Sequence, residues 1–72
     1  MKFKVGDIIY RKGYYGIDIL SIVKYIENGK QYQLQRVIKY GAVNPGHNFS
    51  YPSKCIEDLY ILLTDEQKSE LL

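Results

Sequence analysis

Between two runs of strand-forming residues, Ile17 to Ile26 and Gln31 to Tyr40, stands the dipeptide Asn28-Gly29. Asn and Gly tolerate the positive φ angles of a tight reversal. Flanked by such runs, the pair predicts a β-hairpin through a two-residue type I′ turn within Glu27-Asn28-Gly29-Lys30. The second run alternates cleanly, with Tyr32, Leu34, Arg36, Ile38 and Tyr40 on one face. Period two sustained over such a run specifies a strand, with core at Tyr32 and Leu34. Arg36 interrupts that face, so the sheet twists out of the core there or Arg36 snorkels. The first run is apolar on both parities at Ile19, Leu20, Ile22 and Val23, which predicts a bulge or bend near Leu20-Ser21.

The same logic extends in both directions. Phe3 and Val5 form a short strand before a Gly6-Asp7 turn, and Ile8 to Arg11 form the next. Gly13 and Gly16 flank Tyr14-Tyr15 and permit a loop that doubles back. Gly41 to Ser50 reads as a loop, with turn chemistry at Asn44-Pro45-Gly46. Pro52 to Asp58 suggests a single helical or 3₁₀ turn, because Cys55, Ile56 and Leu59 have helical spacing and Pro suits a first turn. Leu59 to Leu63 reads as a last strand. Thr64 and Gln67 have the spacing of a capping box, and Asp65 and Glu66 suit the positive end of a helix dipole, so a short helix follows. The fold class is mainly β: a small barrel of about five antiparallel strands over residues 1–63 with a short C-terminal helix over 64–72 of the same domain.

Size and composition limit the function. A chain of 72 residues makes one domain. It buries only ~60% of the surface it exposes when unfolded. Eight tyrosines and no tryptophan then give a shallow core with amphipathic walls. One cysteine, Cys55, rules out an intramolecular disulfide and fits a reducing, cytoplasmic setting. The start turns polar at once, unlike a signal peptide, and Leu59 to Leu63, the longest apolar run, is too short to span a bilayer. Asn48-Phe49-Ser50 matches a glycosylation acceptor by chance in that setting. Richness in Ile, Lys, Tyr and Asn, with the small size, hints at a phage or mobile-element source.

Charge is uneven. Residues 1–56 hold nine Lys/Arg and three Asp/Glu, a net +6, while residues 57–72 hold one Lys and five Asp/Glu, a net −4. A basic body with an acidic end either attracts phosphates or simply stays solvated.

Val5-Gly6-Asp7-Ile8-Ile9, then Gly13 and Gly16, a hydrophobic strand, a tight hairpin and Tyr32-x-Leu34 resemble the small SH3-like barrels, including Tudor, KOW and CarD-type interaction domains. The likeness covers Phe3 to Leu63. The glycine and valine spacing of a KOW repeat is not kept around Gly13 to Gly16, and the tryptophan of a signalling SH3 domain is missing. The resemblance implies a binding module rather than a particular ligand.

No catalytic constellation is present, and the expectation is a non-enzyme without cofactor or metal. His47 and Cys55 supply at most two metal ligands. They also lack the third group that would orient a nucleophile and base, so Cys55 reads as a small buried thiol and His47 as a turn residue. Glycines 13, 16, 41 and 46 are not followed by the Lys-Ser/Thr of a phosphate loop. Asp7, Asp18 and Glu27 are separated by turns, which leaves no carboxylate pair.

Arg11, Lys12, Tyr14 and Tyr15 form the sharpest candidate surface, extended by Arg36, Lys39 and Tyr40. Cations beside exposed rings suit a protein interface or stacked bases over a phosphate track. The bland alternative is that Tyr14 and Tyr15 lid one end of the barrel. The function expected is a protein-interaction module, a small regulator or inhibitor docking on a larger protein, as a monomer or weak homodimer. Nucleic-acid binding is the alternative, and no membrane partner is expected. Leu71 and Leu72 are candidates for docking on the barrel or for a dimer contact, and barrel edges can accept a partner's strand.

Overall fold

The computed structural model describes residues 2–14, 16–39, 42–43 and 48–71. Their elements are β1 (Ile8–Gly13), β2 (Gly16–Ile26), β3 (Gln31–Lys39), β4 (Ala42–Val43), β5 (Asn48–Pro52), α1 (Ser53–Leu59), β6 (Ile61–Leu62) and α2 (Asp65–Leu71). The strands form one antiparallel sheet in the order β4-β3-β2-β1-β6, and β5 pairs β3 as well. The chain is therefore mainly β with a short C-terminal helix, the class expected from the sequence.

β1 and β2 make the first hairpin, in which Gly13 faces Gly16 across the ladder. The strands thus run right up to both glycines. The second hairpin lies where Asn28-Gly29 places it, but its loop has four residues rather than a two-residue turn. Ile26 pairs Gln31, and φ is positive at Glu27 (53°), Asn28 (57°) and Gly29 (87°). The longer loop has a cause outside the hairpin. The Gly29 carbonyl accepts a bond from Ser53 Oγ at 2.6 Å, and the Lys30 carbonyl accepts one from the Ser53 N–H at 2.9 Å. Both carbonyls turn toward the start of α1 instead of extending the ladder. Ser53 is buried there with its polar groups satisfied.

β2 places Leu20 and Ile22 in the core cluster and buries Ile19, of opposite parity, outside it, and the β2–β3 register shifts between Ile19 and Leu20. A second shift falls between Ile22 and Lys24. The expected bulge near Leu20-Ser21 is therefore one of a pair. The first shift skips Val37 on β3 and the second skips Val23 on β2, so each inserts one unpaired residue into the ladder.

The strand expected at Phe3 to Val5 is absent. The Lys4 N–H donates to Asp7 Oδ2 at 2.8 Å and the Asp7 N–H to the Lys4 carbonyl at 2.9 Å, closing a turn in which Gly6 has φ 93°. Phe3 is 2% exposed and enters the core as a plug. Its N–H donates to Tyr32 Oη at 3.1 Å, and its carbonyl accepts from Tyr25 Oη at 2.7 Å. Side chains thus satisfy the backbone groups that a ladder would have used. The core around Phe3 contains Ile9, Leu20, Ile22, Tyr32, Leu34, Ile56 and Tyr60, with Phe49 packed at its edge.

Two further expectations are corrected. Asn48 to Ser50 belong to β5, not to a loop, because Leu34 pairs Phe49 and Gln35 pairs Asn48. The segment after Pro52 is a seven-residue α-helix, with Pro52 as its N-cap residue and Ser53 and Ile56 buried. Leu59 ends that helix, and the last strand is only Ile61–Leu62. The capping box forms as expected. The Gln67 N–H donates to Thr64 Oγ1 at 3.2 Å, and the Thr64 N–H donates to Gln67 Oε1 at 3.0 Å. Among the described residues no helix is long and apolar enough to cross a membrane. Asn44 to His47 and Leu72 lie outside the described residues.

Candidate functional site

One groove lies where the β1–β2–β3 face meets α1 and β5. It encloses about 380 Å³ and is lined by Arg11, Asp18, Arg36, Tyr51, Cys55, Ile56, Leu59 and Tyr60. The sheet register builds its polar side. Arg11 faces Asp18 across the β1–β2 ladder. The shift after Ile19 sets Leu20 against Arg36. Arg36 Nε then reaches Asp18 Oδ1 at 3.3 Å. Tyr60, just beyond α1, donates its hydroxyl to the other carboxylate oxygen, Asp18 Oδ2, at 2.7 Å. Both oxygens of Asp18 are thereby engaged.

Arg36 is also supported from below. Its guanidinium carbon sits 4.8 Å from the centroid of the Phe49 ring. A cation over an aromatic face at this distance is attracted by the ring quadrupole. Phe49 in turn meets Tyr51 edge to face, with centroids 5.9 Å apart. Because Phe49 and Tyr51 are two apart on β5, they share a face, and Tyr51 lines the groove.

Burial raises the Tyr60 hydroxyl well above the ordinary tyrosine range, and the bond to Asp18 and that carboxylate's charge push the same way. The charges of Arg11 and Arg36 act in the opposite direction. Tyr60 therefore stays protonated and serves as a fixed donor. The apolar side is open: Tyr51 is 52% exposed and Leu59 54% exposed.

The sequence-predicted residues divide. Arg11 and Arg36 meet in this groove. Lys12 is exposed but follows Arg11 directly on β1, so it points to the opposite face of the strand. Tyr14, 94% exposed, stands at the β1–β2 turn, away from the groove lining. Tyr15, Tyr40 and the side chain of Lys39 lie outside the described residues. Cys55 corrects the expectation of a buried thiol. It is exposed, because α1 turns Ser53 and Ile56 inward and leaves Cys55 on the groove wall.

Asp18, Tyr51, Leu59 and Tyr60 were not legible as site residues. Only Asp18 left a trace, as the one acid within the apolar run of β2. No three His, Cys, Asp or Glu side chains come together to hold a metal among the described residues.

A second, shallower depression of about 370 Å³ lies over Lys24, Ile26, Gln33, Asn48, Phe49 and Ser50. Gln33 Oε1 is buried there without a hydrogen-bond partner among the described residues.

Compared with known proteins, this chain matches no family model, no curated protein and no solved structure.

Proposed function

We propose that this chain is a non-catalytic protein-interaction module, a small regulator or inhibitor that docks on a larger protein through the groove between its sheet and α1. The observation that carries the reading is the groove's composition. A guanidinium held by Asp18 and Phe49 lies beside half-exposed Tyr51 and Leu59. Tyr and Arg are the side chains most often found as interface anchors, and Arg loses little freedom on binding when it is already held in place. The small all-β architecture is compatible with the SH3-like barrels that the sequence resembles, whose members act mostly as binding modules. A nucleic-acid track is the weaker reading. Asp18 offsets one of the two arginines, so the groove offers a single net positive charge, which a run of phosphates exceeds.

The test is affinity capture from the host lysate using wild type and the double variant Arg11→Glu, Leu59→Ser. Both positions are exposed, so the fold should survive. One protein should be captured despite nuclease treatment and be lost with the variant. Capture that disappears on nuclease treatment, together with salt-sensitive binding of random DNA or RNA, would refute the reading in favour of nucleic acid.

A further inference from the structure

Resting on that reading, we infer that the groove takes a short extended segment of a partner protein in which an Asp or Glu adjoins a large apolar residue, the carboxylate meeting Arg11 and Arg36 and the apolar side chain lying on Tyr51 and Leu59.

Four observations carry this. First, Arg36 is oriented before anything binds. Asp18 holds its Nε and the Phe49 ring lies 4.8 Å from its guanidinium carbon, while its two Nη groups carry no hydrogen bond or ion pair among the described residues. A guanidinium fork with free Nη groups matches a carboxylate. Second, Asp18 spends one oxygen on Arg36 and the other on Tyr60, which makes it a positioning residue rather than a competitor for a new donor. Third, exposed Arg11 adds a second cation, so two positive charges against one negative leave the groove net positive. One incoming carboxylate balances that charge, whereas a run of phosphates exceeds it. Fourth, the apolar wall begins directly beside the cations, so an acid alone leaves Tyr51 and Leu59 uncovered.

The experiment is selection from a displayed library of random linear peptides with the full chain as bait. Selected sequences should place Asp or Glu next to Leu, Ile, Phe, Tyr or Trp. Binding of a selected peptide should weaken roughly ten- to a hundredfold in Arg11→Gln or Arg36→Gln, and equally when its acid becomes the corresponding amide. Arg36→Lys keeps the charge and loses the fork, so it should weaken binding while the backbone amide spectrum of the free protein stays native. Sequences without an acidic excess, or binding indifferent to both arginines, would overturn the groove assignment and leave the module reading standing. No enriched peptide at all would overturn the proposal; combined with nuclease-sensitive capture, it would remove the module reading too. A random oligonucleotide that displaces the selected peptide and depends on Arg11 would replace the carboxylate with phosphate.

Discussion

Replacing Tyr32 with Phe removes a single oxygen from the centre of the molecule while leaving ring packing intact. That oxygen donates to Glu57 Oε2 at 2.5 Å and accepts the Phe3 N–H at 3.1 Å. Tyr32 is fully buried, and its partner Glu57 is half-buried. A bond to a charged group contributes roughly 1.5–3 kcal/mol, and a buried donor left unpaired costs about 1–3 kcal/mol. Glu57 keeps its bond from the Lys2 N–H at 2.9 Å, which limits the loss on the carboxylate side. The expected destabilisation is about 2–3 kcal/mol, or roughly 10–20 °C in Tm for a domain of this size. Urea unfolding at neutral pH measures it. The acid limb provides an independent check. Bonds from Tyr32 and the Lys2 N–H lower the Glu57 carboxyl from 4.5. A folded value below the unfolded one contributes stability that is present above 4.5 and lost as pH falls through the lowered value. Tyr32→Phe should flatten that limb. At the other end, burial first and the Glu57 bond second raise Tyr32 to about 12. That contribution is complete below pH 10 and lost as pH rises toward 12, so the variant should also lose part of the alkaline decline. A loss under about 0.5 kcal/mol, with both limbs unchanged, would refute the account of Tyr32 as the keystone joining the N-terminal arm to α1.

Three further outcomes follow from other sites. Thr64→Ala removes the α2 cap and should cost about 1 kcal/mol, read as faster amide exchange confined to residues 65–71, with the sheet unaffected. Asp18→Asn removes the charge that helps hold up the Tyr60 hydroxyl, so Tyr60 should titrate at lower pH than in the wild type, followed by its ring-carbon NMR shift; an unchanged titration would mean burial alone sets it. Gln33→Met removes the unpartnered buried acceptor and should stabilise the protein by roughly 1 kcal/mol in thermal unfolding, whereas a loss would show that Oε1 is solvated after all.

What was legible in the sequence was local. Asn28-Gly29 marks its hairpin, the alternating run its strand Gln31–Lys39 and Thr64–Gln67 its capping box, each within a few residues, and each is found in place. What escaped depends on distant partners. Phe3 resembles a strand residue until the hydroxyls of Tyr25 and Tyr32 take its backbone groups. The hairpin loop lengthens because Ser53 draws on its carbonyls. Arg36 was visible as an anomaly on its strand face, but its partner Asp18 lies on another strand at a register only the bulge creates. Cys55 was misjudged for a simpler reason: free cysteines are often buried, and that general tendency says nothing about which way α1 is rotated.

The tie between Lys2 and Glu57 spans 55 positions, and β6 must return to β1 to complete the sheet. Such architecture delays its own assembly. The hairpins can form early, but the plug has no socket until residues 56 to 60 have arrived to close it. Folding therefore waits for the far end of the chain, and loop-closure entropy makes that final step slow relative to the local turns. A ribosome-bound fragment lacking those residues should remain open and protease-sensitive, with its tyrosine-rich interior exposed to any chaperone that finds it.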